Sequence, residues 1–244
     1  MQKFGIDISK WQGDFSIAQA MLSAGVEFVI IKCGGSDKGV YKDPRFEENY
    51  KKAKEVGIPV GAYWFSKAMT VDEAKRDALF CLELLKHKQF ELPIYIDVEN
   101  KQQLAVGKDK LTSIIDAFLS ILENNRYYAG IYSSRSYFQT YMDDNYLKKY
   151  THWIASWGTA KPAGAGIWQF GGETNKLRSN KINGQTVDQD YMFVDFPTII
   201  KQKGLNGYTA REVNERENTI KNHLTQLIDL GYTKEEIASV LERI

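Results

Sequence analysis

The chain has 244 residues, 43% of them hydrophobic and 26% charged, which suits one large domain with a full core and excludes disorder as its main state. Its 32 basic and 31 acidic residues give a formal net charge of +1, so no strong field favours nucleic acid or an anionic membrane as partner. No apolar run approaches the ~18 residues of a membrane span, which excludes membrane insertion.

Apolar, β-branched or aromatic runs recur along the chain and predict strands. They lie at 3–8, 27–33, 59–65, 92–98, 128–133, 151–156, 166–170 and 186–193. Amphipathic stretches between the first six predict helices at 15–24, 44–57, 70–88, 108–125 and 136–150. After 156 the helical patterns shrink, so we expect loops to join the last strands.

The alternation of strand and helix predicts parallel pairing with crossover helices, which is the α/β class. We expect an irregular TIM-like β/α barrel of about eight strands and about five full helices over residues 1–200, ahead of an open doubly wound sheet. A linker at 201–207 and a helical C-terminal appendage at 208–244 complete the predicted domain organisation.

The appendage contains two helical patterns that a turn at Gly231 separates. About forty residues of this kind cannot easily build an independent core. Two interpretations remain open: a helical hairpin that docks on the barrel or pairs two chains, and a segment for wall attachment or dimerisation. The apolar faces of the two patterns consist of Leu224, Leu227 and Ile228, and of Ile237, Val240 and Leu241.

Acidic residues stand where predicted strands end: Asp7 on the first strand, and Asp97 and Glu99 on the fourth. Because the carboxyl ends of parallel strands open onto one face of a barrel, we expect these side chains to converge there. Asp97 and Glu99 are two positions apart, so they share a strand face, about 6.6 Å apart along the backbone. Two carboxylates this close push their pKa values apart, and the resulting pair of one acid and one carboxylate is what glycoside hydrolysis needs. The alternative is a loop start in which Asp97 caps the next segment and Glu99 is solvated.

Asp7 alternates with two isoleucines on the first predicted strand, so we expect it to face the barrel interior if the isoleucines face the helices. A buried carboxylate needs a partner, and Lys32 at the end of the second strand is the candidate. On the final strand, Asp188 and Asp190 are both expected to face one side, and they compete for the place of a fourth acid.

Aromatic and polar side chains near the strand ends predict a groove that binds sugars. Aromatic faces stack on sugar rings, and a phenol or an amide can hydrogen-bond a substrate group. Taken one at a time, each of these residues is more typical of an ordinary core. The candidate substrate-binding residues are Lys32, Tyr63, Phe65, Tyr132, Trp153, Trp168, Gln169 and Asp190.

Other chemistries find little support in the sequence. The cysteines, Cys33 and Cys81, have neither metal-site spacing nor a disulfide framework, and we expect two free, at least partly buried thiols. The three histidines are scattered without an HExxH pattern, and phosphate-binding and nucleophile-elbow motifs are missing. We therefore predict no metal and no cofactor.

Several sequence blocks resemble the muramidases of glycoside hydrolase family 25, the lysozymes common in bacteriophage endolysins and autolysins. The resemblance spans roughly residues 3–196 in the expected order and includes FGIDISKWQG, VIIKCGG, GAYWF, IYIDVEN, YAGIYSS, WIASWG, WQF and VDQDYM. It implies an irregular β/α barrel that cleaves the β-1,4 bond from N-acetylmuramic acid to N-acetylglucosamine in peptidoglycan.

The resemblance also implies roles for individual residues. It makes Glu99 the general acid and Asp97 the carboxylate that assists or orients the acetamido group, with Asp7 and Asp188 completing the acidic cluster. It places Tyr63 and Trp168 near the substrate as well.

One departure concerns Asp190, because the family usually has an Asn there. The choice between Asp188 and Asp190 as fourth acid therefore stays open. The spacing of the central pair also leaves retaining, inverting and substrate-assisted mechanisms open.

The leading prediction is thus a bacteriolytic muramidase with bacterial peptidoglycan as its partner. Two alternatives are a non-catalytic glycan-binding barrel and an interaction protein whose tail beyond 204 is the active part. The start MQKFGIDIS lacks the regions of a signal peptide, so we expect synthesis in the cytoplasm. Action on the cell wall then requires release through a phage holin-type lesion or another non-standard export route.

Overall fold

A closed barrel of eight strands organises the chain in a computed structural model, which describes residues 2–209, 221, 224–225, 227–228 and 232–241, with the backbone alone at 237 and 239–241. In chain order the strands are β1 (Lys3–Ile8), β2 (Phe28–Gly35), β3 (Tyr41–Lys42), β4 (Val60–Phe65), β5 (Ile94–Asp97), β6 (Ala129–Ser134), β7 (Thr151–Ala155), β8 (Ala165–Gly171), β9 (Lys181–Ile182), β10 (Gln185–Thr186) and β11 (Asp188–Met192). Each of the eight predicted strands coincides with a barrel strand to within about two residues.

Helices connect most of the barrel strands or follow the last one. They are a 3₁₀ helix at Lys10–Gln12, α1 (Ile17–Ala24), α2 (Phe46–Glu55), α3 (Val71–Leu85), α4 (Lys101–Leu104), α5 (Lys108–Asn124), α6 (Arg135–Tyr141), α7 (Asp144–Leu147), α8 (Phe196–Gln202) and a further helix at Lys234–Leu241. Four of the five predicted helices are single helices. The fifth divides into α6 and α7, because Met142 is extended and the Asp143 side chain starts a new helix by accepting from the Tyr146 N–H.

The barrel runs in the order β1, β11, β8, β7, β6, β5, β4 and β2, and the β1–β2 pairing closes it. Seven strands are parallel, as predicted, but β11 is antiparallel to both β1 and β8. The last strand can run in reverse because no crossover helix joins β8 to β11. The connection instead contains the β9–β10 hairpin, which lets the chain return in the opposite direction.

Strand alternation divides the core into two layers. Side chains such as Phe28, Tyr95 and Trp153 fill the barrel interior. Ile6 and Ile8 belong to the outer layer, between the strands and the helices, so Asp7 faces inward as the alternation predicts. Glycines make room for the interior rings: a Cβ on Gly130 would lie 2.5 Å from the Tyr95 ring.

Residues 203–208 pack against the base of the barrel. Asn206 is fully buried, accepts from the Tyr128 N–H at 2.6 Å and donates to the Leu92 carbonyl at 2.8 Å. The Arg126 guanidinium donates to the carbonyls of Lys203 and Gly204. These bonds fix the segment after α8 to the starts of β5 and β6.

The remaining expectations concern the two cysteines, the C-terminal segment and membrane insertion. Cys33 and Cys81 are buried free thiols, as predicted, with sulfur atoms 3.8 Å apart. The predicted turn at Gly231 and the side chains of Ile237, Val240 and Leu241 lie outside the described residues. Of the helices that the structure does describe, each is too short or too polar to traverse a bilayer.

Asn206→Ala is expected to destabilise the fold by about 2–4 kcal/mol, because two buried backbone groups lose their partners and alanine must adopt the positive φ of 54°. Urea unfolding measures the change. Asn124→Ala, at the exposed end of α5, is the control and should stay within about 0.5 kcal/mol of the parent. Equal losses in the two variants would contradict this account of the barrel base.

Candidate active site

The acidic residues meet at one end of the barrel, where seven strands end and β11 begins. In the strand register, Asp7 lies opposite Asp188, and Asp97 lies opposite both Phe65 and Tyr132. Directly opposed residues have Cα atoms about 4.5–5.5 Å apart. We call this open end the mouth; it brings together the acids that the sequence predicted to converge.

A chain of hydrogen bonds lies just below the mouth. The Tyr132 hydroxyl donates to Gln169 Oε1 at 2.8 Å, and Gln169 Nε2 donates to Asp7 Oδ2 at 2.8 Å. Trp153 Nε1 donates to Asp190 Oδ1 at 2.7 Å. Asp7 is 6% exposed and Asp190 is fully buried, so both carboxyls rely on protein donors rather than on water.

Asp97 and Glu99 form the pair at the end of β5. Asp97 is buried, and its pKa is raised well above its usual range by burial and by the neighbouring Glu99 charge. Glu99 is exposed at the mouth, but nearby protein atoms displace part of the water around its carboxyl and raise its pKa. The nearby Lys32 ammonium opposes both shifts by favouring the ionised carboxylates.

Asp188, rather than Asp190, is the fourth acid at the mouth. Burial and the charges of Glu99 and Glu173 raise its pKa to about 6. The side chain fits beside Gly172, where an added Cβ would lie 2.0 Å from Asp188 Oδ1. A β-bulge between Gln189 and Asp190 separates Asp188 from the more deeply placed Asp190.

Lys32 is not the partner of Asp7, contrary to the sequence-based expectation. Its ammonium lies 4.5 Å from the Phe65 ring centroid and 5.8 Å from that of Tyr63, on the side of the mouth that carries Asp97. Asp7 instead takes its hydrogen bond from Gln169. Since β2 and β4 are neighbours, the Lys32 side chain extends toward β4 and β5 rather than toward β11.

Four candidate substrate-binding side chains are half-buried at the mouth: Lys32, Tyr63, Phe65 and Tyr132. Trp153 is only 1% exposed, and its ring contacts those of Tyr132 and Tyr63 at centroid distances of 4.3 and 5.9 Å. It forms the floor below the mouth, together with Gln169 and Asp190.

The structure does not bring Trp168 to the mouth. Alternation along β8 turns Gln169 inward and Trp168 outward, where it packs against Phe170 and Tyr191. Its indole donates to the Ser156 carbonyl at 2.8 Å. The interior residue that sequence reasoning missed is Tyr95, which precedes Asp97 by two positions; the same alternation places it under the pair.

A separate groove of about 780 Å³ lies outside the barrel, between the β2–β3 region and α3, with Lys67, Met69 and Arg76 in its walls. None of the four acids that converge at the mouth lines this groove. Among the described residues, we find no cluster of histidine, cysteine and acidic side chains arranged to hold a metal ion.

The chemistry that this arrangement supports is proton transfer between carboxyl groups. Burial and mutual repulsion raise the pKa values of these acids, while Lys32 stabilises negative charge on Asp97 and Glu99. Burial and the nearby carboxylates raise the pKa of Tyr63 and of Tyr132 well above the usual range, so both phenols remain hydrogen-bond donors. The mouth therefore combines an acid, a carboxylate and neutral donors.

Comparison with known proteins agrees with the family resemblance seen in the sequence. Residues 6–177 match the family of glycosyl hydrolases family 25, a range that includes Asp7, Asp97 and Glu99 and ends before Asp188. Lysozyme M1 of Streptomyces globisporus is 28% identical over 202 residues, which are 74% of this chain and 67% of that protein.

Solved structures show the same fold. The modular autolysin LytC from Streptococcus pneumoniae, in complex with a synthetic peptidoglycan ligand, is 25% identical with a TM-score of 0.68. The match covers 79% of this chain and 47% of LytC, so the chain spans about half of that protein's length. The bacterial lysozyme from Streptomyces coelicolor is 24% identical, with a TM-score of 0.67 and coverage of 85% and 98%.

Asp188→Asn is expected to make stability less dependent on pH. The pKa of Asp188 is about 6 in the fold against an ordinary 3.8, so the parent loses stability as the pH rises through about 6. We expect the variant to be more stable than the parent by about 3 kcal/mol near pH 8, and the difference to vanish below about pH 4. Urea unfolding at several pH values between about 4 and 8 measures this difference in stability. Asp109→Asn, which removes an exposed acid on α5, is the control and should stay within about 0.5 kcal/mol of the parent.

Proposed function

Because the chain belongs to family 25 of the glycosyl hydrolases, we propose that it is a muramidase that cleaves the β-1,4 bond between N-acetylmuramic acid and N-acetylglucosamine in bacterial peptidoglycan. The observation that carries the proposal is the convergence of Asp97, Glu99, Asp7 and Asp188 at one open end of the barrel. The relatives named as lysozymes support this substrate and, with it, action on the cell wall.

Glu99 is the general acid in this proposal. It is the exposed member of the pair, so a glycan that covers the mouth removes water from Glu99 and raises its pKa further. Because the two carboxyls titrate together, this favours a proton on Glu99 and a negative charge on Asp97. The proton on Glu99 is then available to the leaving-group oxygen of the glycosidic bond.

Asp97 serves as the carboxylate that assists the reaction from the barrel side of the mouth. In its ionised form it stabilises the positive charge that develops on the sugar ring, directly or by orienting the acetamido group. Lys32 favours this ionised form from the β2 side of the mouth. Asp188 reaches the mouth from the opposite side, where it completes the acidic rim.

Substrate contacts fall to the half-buried side chains at the mouth. Tyr63 and Phe65 offer ring faces for stacking, and Tyr132 lies beside Asp97 in the strand register, with its hydroxyl proton donated to Gln169. Trp153, Gln169 and Asp190 lie too deep to touch a glycan, so they support the residues above them. The suggested role of residues 208–244 in self-association or wall attachment stays a prediction.

Glu99→Gln is expected to reduce the release of reducing sugar from purified cell walls by about 10²–10⁴-fold, because the amide cannot donate a proton to the leaving group. Circular dichroism should show an unchanged fold. Glu55→Gln removes an exposed glutamate of α2 and should keep parental activity. Parental activity in Glu99→Gln would remove Glu99 from the role of acid.

Mass spectrometry of the digest tests which bond is cleaved. We expect fragments whose reducing end is N-acetylmuramic acid, since that sugar occupies the side of the scissile bond that is attacked. Fragments ending in N-acetylglucosamine would identify a glucosaminidase instead. Binding to cell walls without any fragments would favour a glycan-binding barrel.

A further inference from the structure

Two carboxyl groups lie side by side in the barrel interior without a cation. Asp7 on β1 and Asp190 on β11 are 6% and 0% exposed, and their carboxyls are direct neighbours. Trp153 donates to Asp190 Oδ1, whereas Asp190 Oδ2 has no N–H or O–H donor among the described residues. The unpartnered oxygen is the observation that needs an explanation.

Charge balance in the interior limits the protonation states of this pair. Among the described groups, the charged or titratable ones that face it are all acids or phenols, and Lys32 acts on Asp97 and Glu99 rather than on Asp7 or Asp190. Two negative charges in direct contact, shielded from water, repel each other strongly. The acids and phenols that face the pair are Asp188 from β11, Tyr63 from β4, Tyr95 from β5 and Tyr132 from β6.

The surrounding hydrogen bonds use one oxygen of each carboxyl as an acceptor and leave the other oxygen of each for the shared contact. An indole N–H can only donate, so Trp153 requires Asp190 Oδ1 as an acceptor. From the other side, Tyr132 donates to Gln169 and Gln169 donates to Asp7 Oδ2. If the second oxygen of Asp7 carries a proton, it can donate to Asp190 Oδ2, and each donor then has an acceptor.

We propose that Asp7 and Asp190 share one proton, with Asp7 as the neutral donor and Asp190 as the buried carboxylate that accepts it. Asp190 is therefore a positioning residue that acts through Asp7. Burial raises the pKa of both groups, and the hydrogen bond between them raises that of Asp7 and lowers that of Asp190, in agreement with this direction.

The consequence for catalysis rests on the proposed muramidase function. A neutral Asp7 adds no charge beside Asp188, so the negative charge at the mouth is left to Asp97 and Asp188. Asp7 then offers the mouth a neutral hydrogen-bonded carboxyl. When the shared proton is lost at high pH, a second buried charge appears next to Asp188 and activity should fall.

Infrared difference spectroscopy on Asp190→Asn tests the shared proton without any substrate. The amide that replaces the Asp190 carboxyl can donate to Asp7, which favours the ionised form of Asp7. We therefore expect the parent-minus-variant spectrum near neutral pH to contain the C=O band of a protonated carboxyl. Asp109→Asn removes an exposed acid and should leave that band unchanged. A parent-minus-Asp190→Asn spectrum without such a band would overturn the proposal.

A measurement on the unchanged protein guards against misfolding of the variant. The ¹H–¹⁵N signal of the Trp153 indole should shift in the same pH range in which the carboxyl band disappears, because its N–H binds Asp190 directly. An indole signal that stays constant while the band titrates would assign the proton to another acid and overturn the proposal.

The dependence of kcat/KM on pH provides the third test. In Asp190→Asn we expect the alkaline limb of kcat/KM against pH to move down by about one unit or more, since Asp7 loses the neighbour that keeps it protonated. An unmoved limb in a folded variant would contradict the catalytic consequence. If the muramidase proposal itself fails, no activity is measured, but the infrared and indole titrations still decide whether the proton is shared.

Discussion

The pairing of β1 with both β2 and β11 is the constraint on which the site depends. Strand β1 bonds β2 in parallel and β11 in antiparallel fashion, and so closes the barrel. Because β11 runs in reverse, its first residue, Asp188, reaches the same mouth as the last residues of the other strands. The register then sets Asp7 opposite Asp188. Acids that are separated by up to 181 positions in the chain thus meet through backbone geometry alone.

Closure of the barrel also explains why the acids differ in their access to water. A small barrel fills its interior with side chains, so depth below the mouth controls access to water. Asp190 and Asp7 lie deep enough to need Trp153 and Gln169 as donors, whereas Glu99 remains exposed. The same fold therefore supplies buried carboxyls with raised pKa values and an exposed one whose protonation a bound glycan can change.

The sequence predicted the strands, most helices and the inward direction of Asp7, because these follow from local hydrophobic periodicity. It did not predict the reversal of β11, which depends on a loop connection with no periodic signal. Trp168 was expected at the substrate, but alternation from Gln169 turns it outward. Lys32 was expected beside Asp7, yet a long flexible side chain can reach either neighbour, and only the tertiary structure shows that it extends toward Phe65. The docking of Asn206 depends on distant backbone groups and leaves no pattern in the sequence.

A crystal structure of the Glu99→Gln variant with a tetrasaccharide of alternating N-acetylglucosamine and N-acetylmuramic acid tests the central claim most directly. The account predicts that the glycan crosses the mouth, with the oxygen of the scissile bond within about 3 Å of the residue 99 amide and Asp97 below the adjoining ring. A glycan bound in the outer groove beside Lys67 and Arg76, or distant from residue 99, would contradict it.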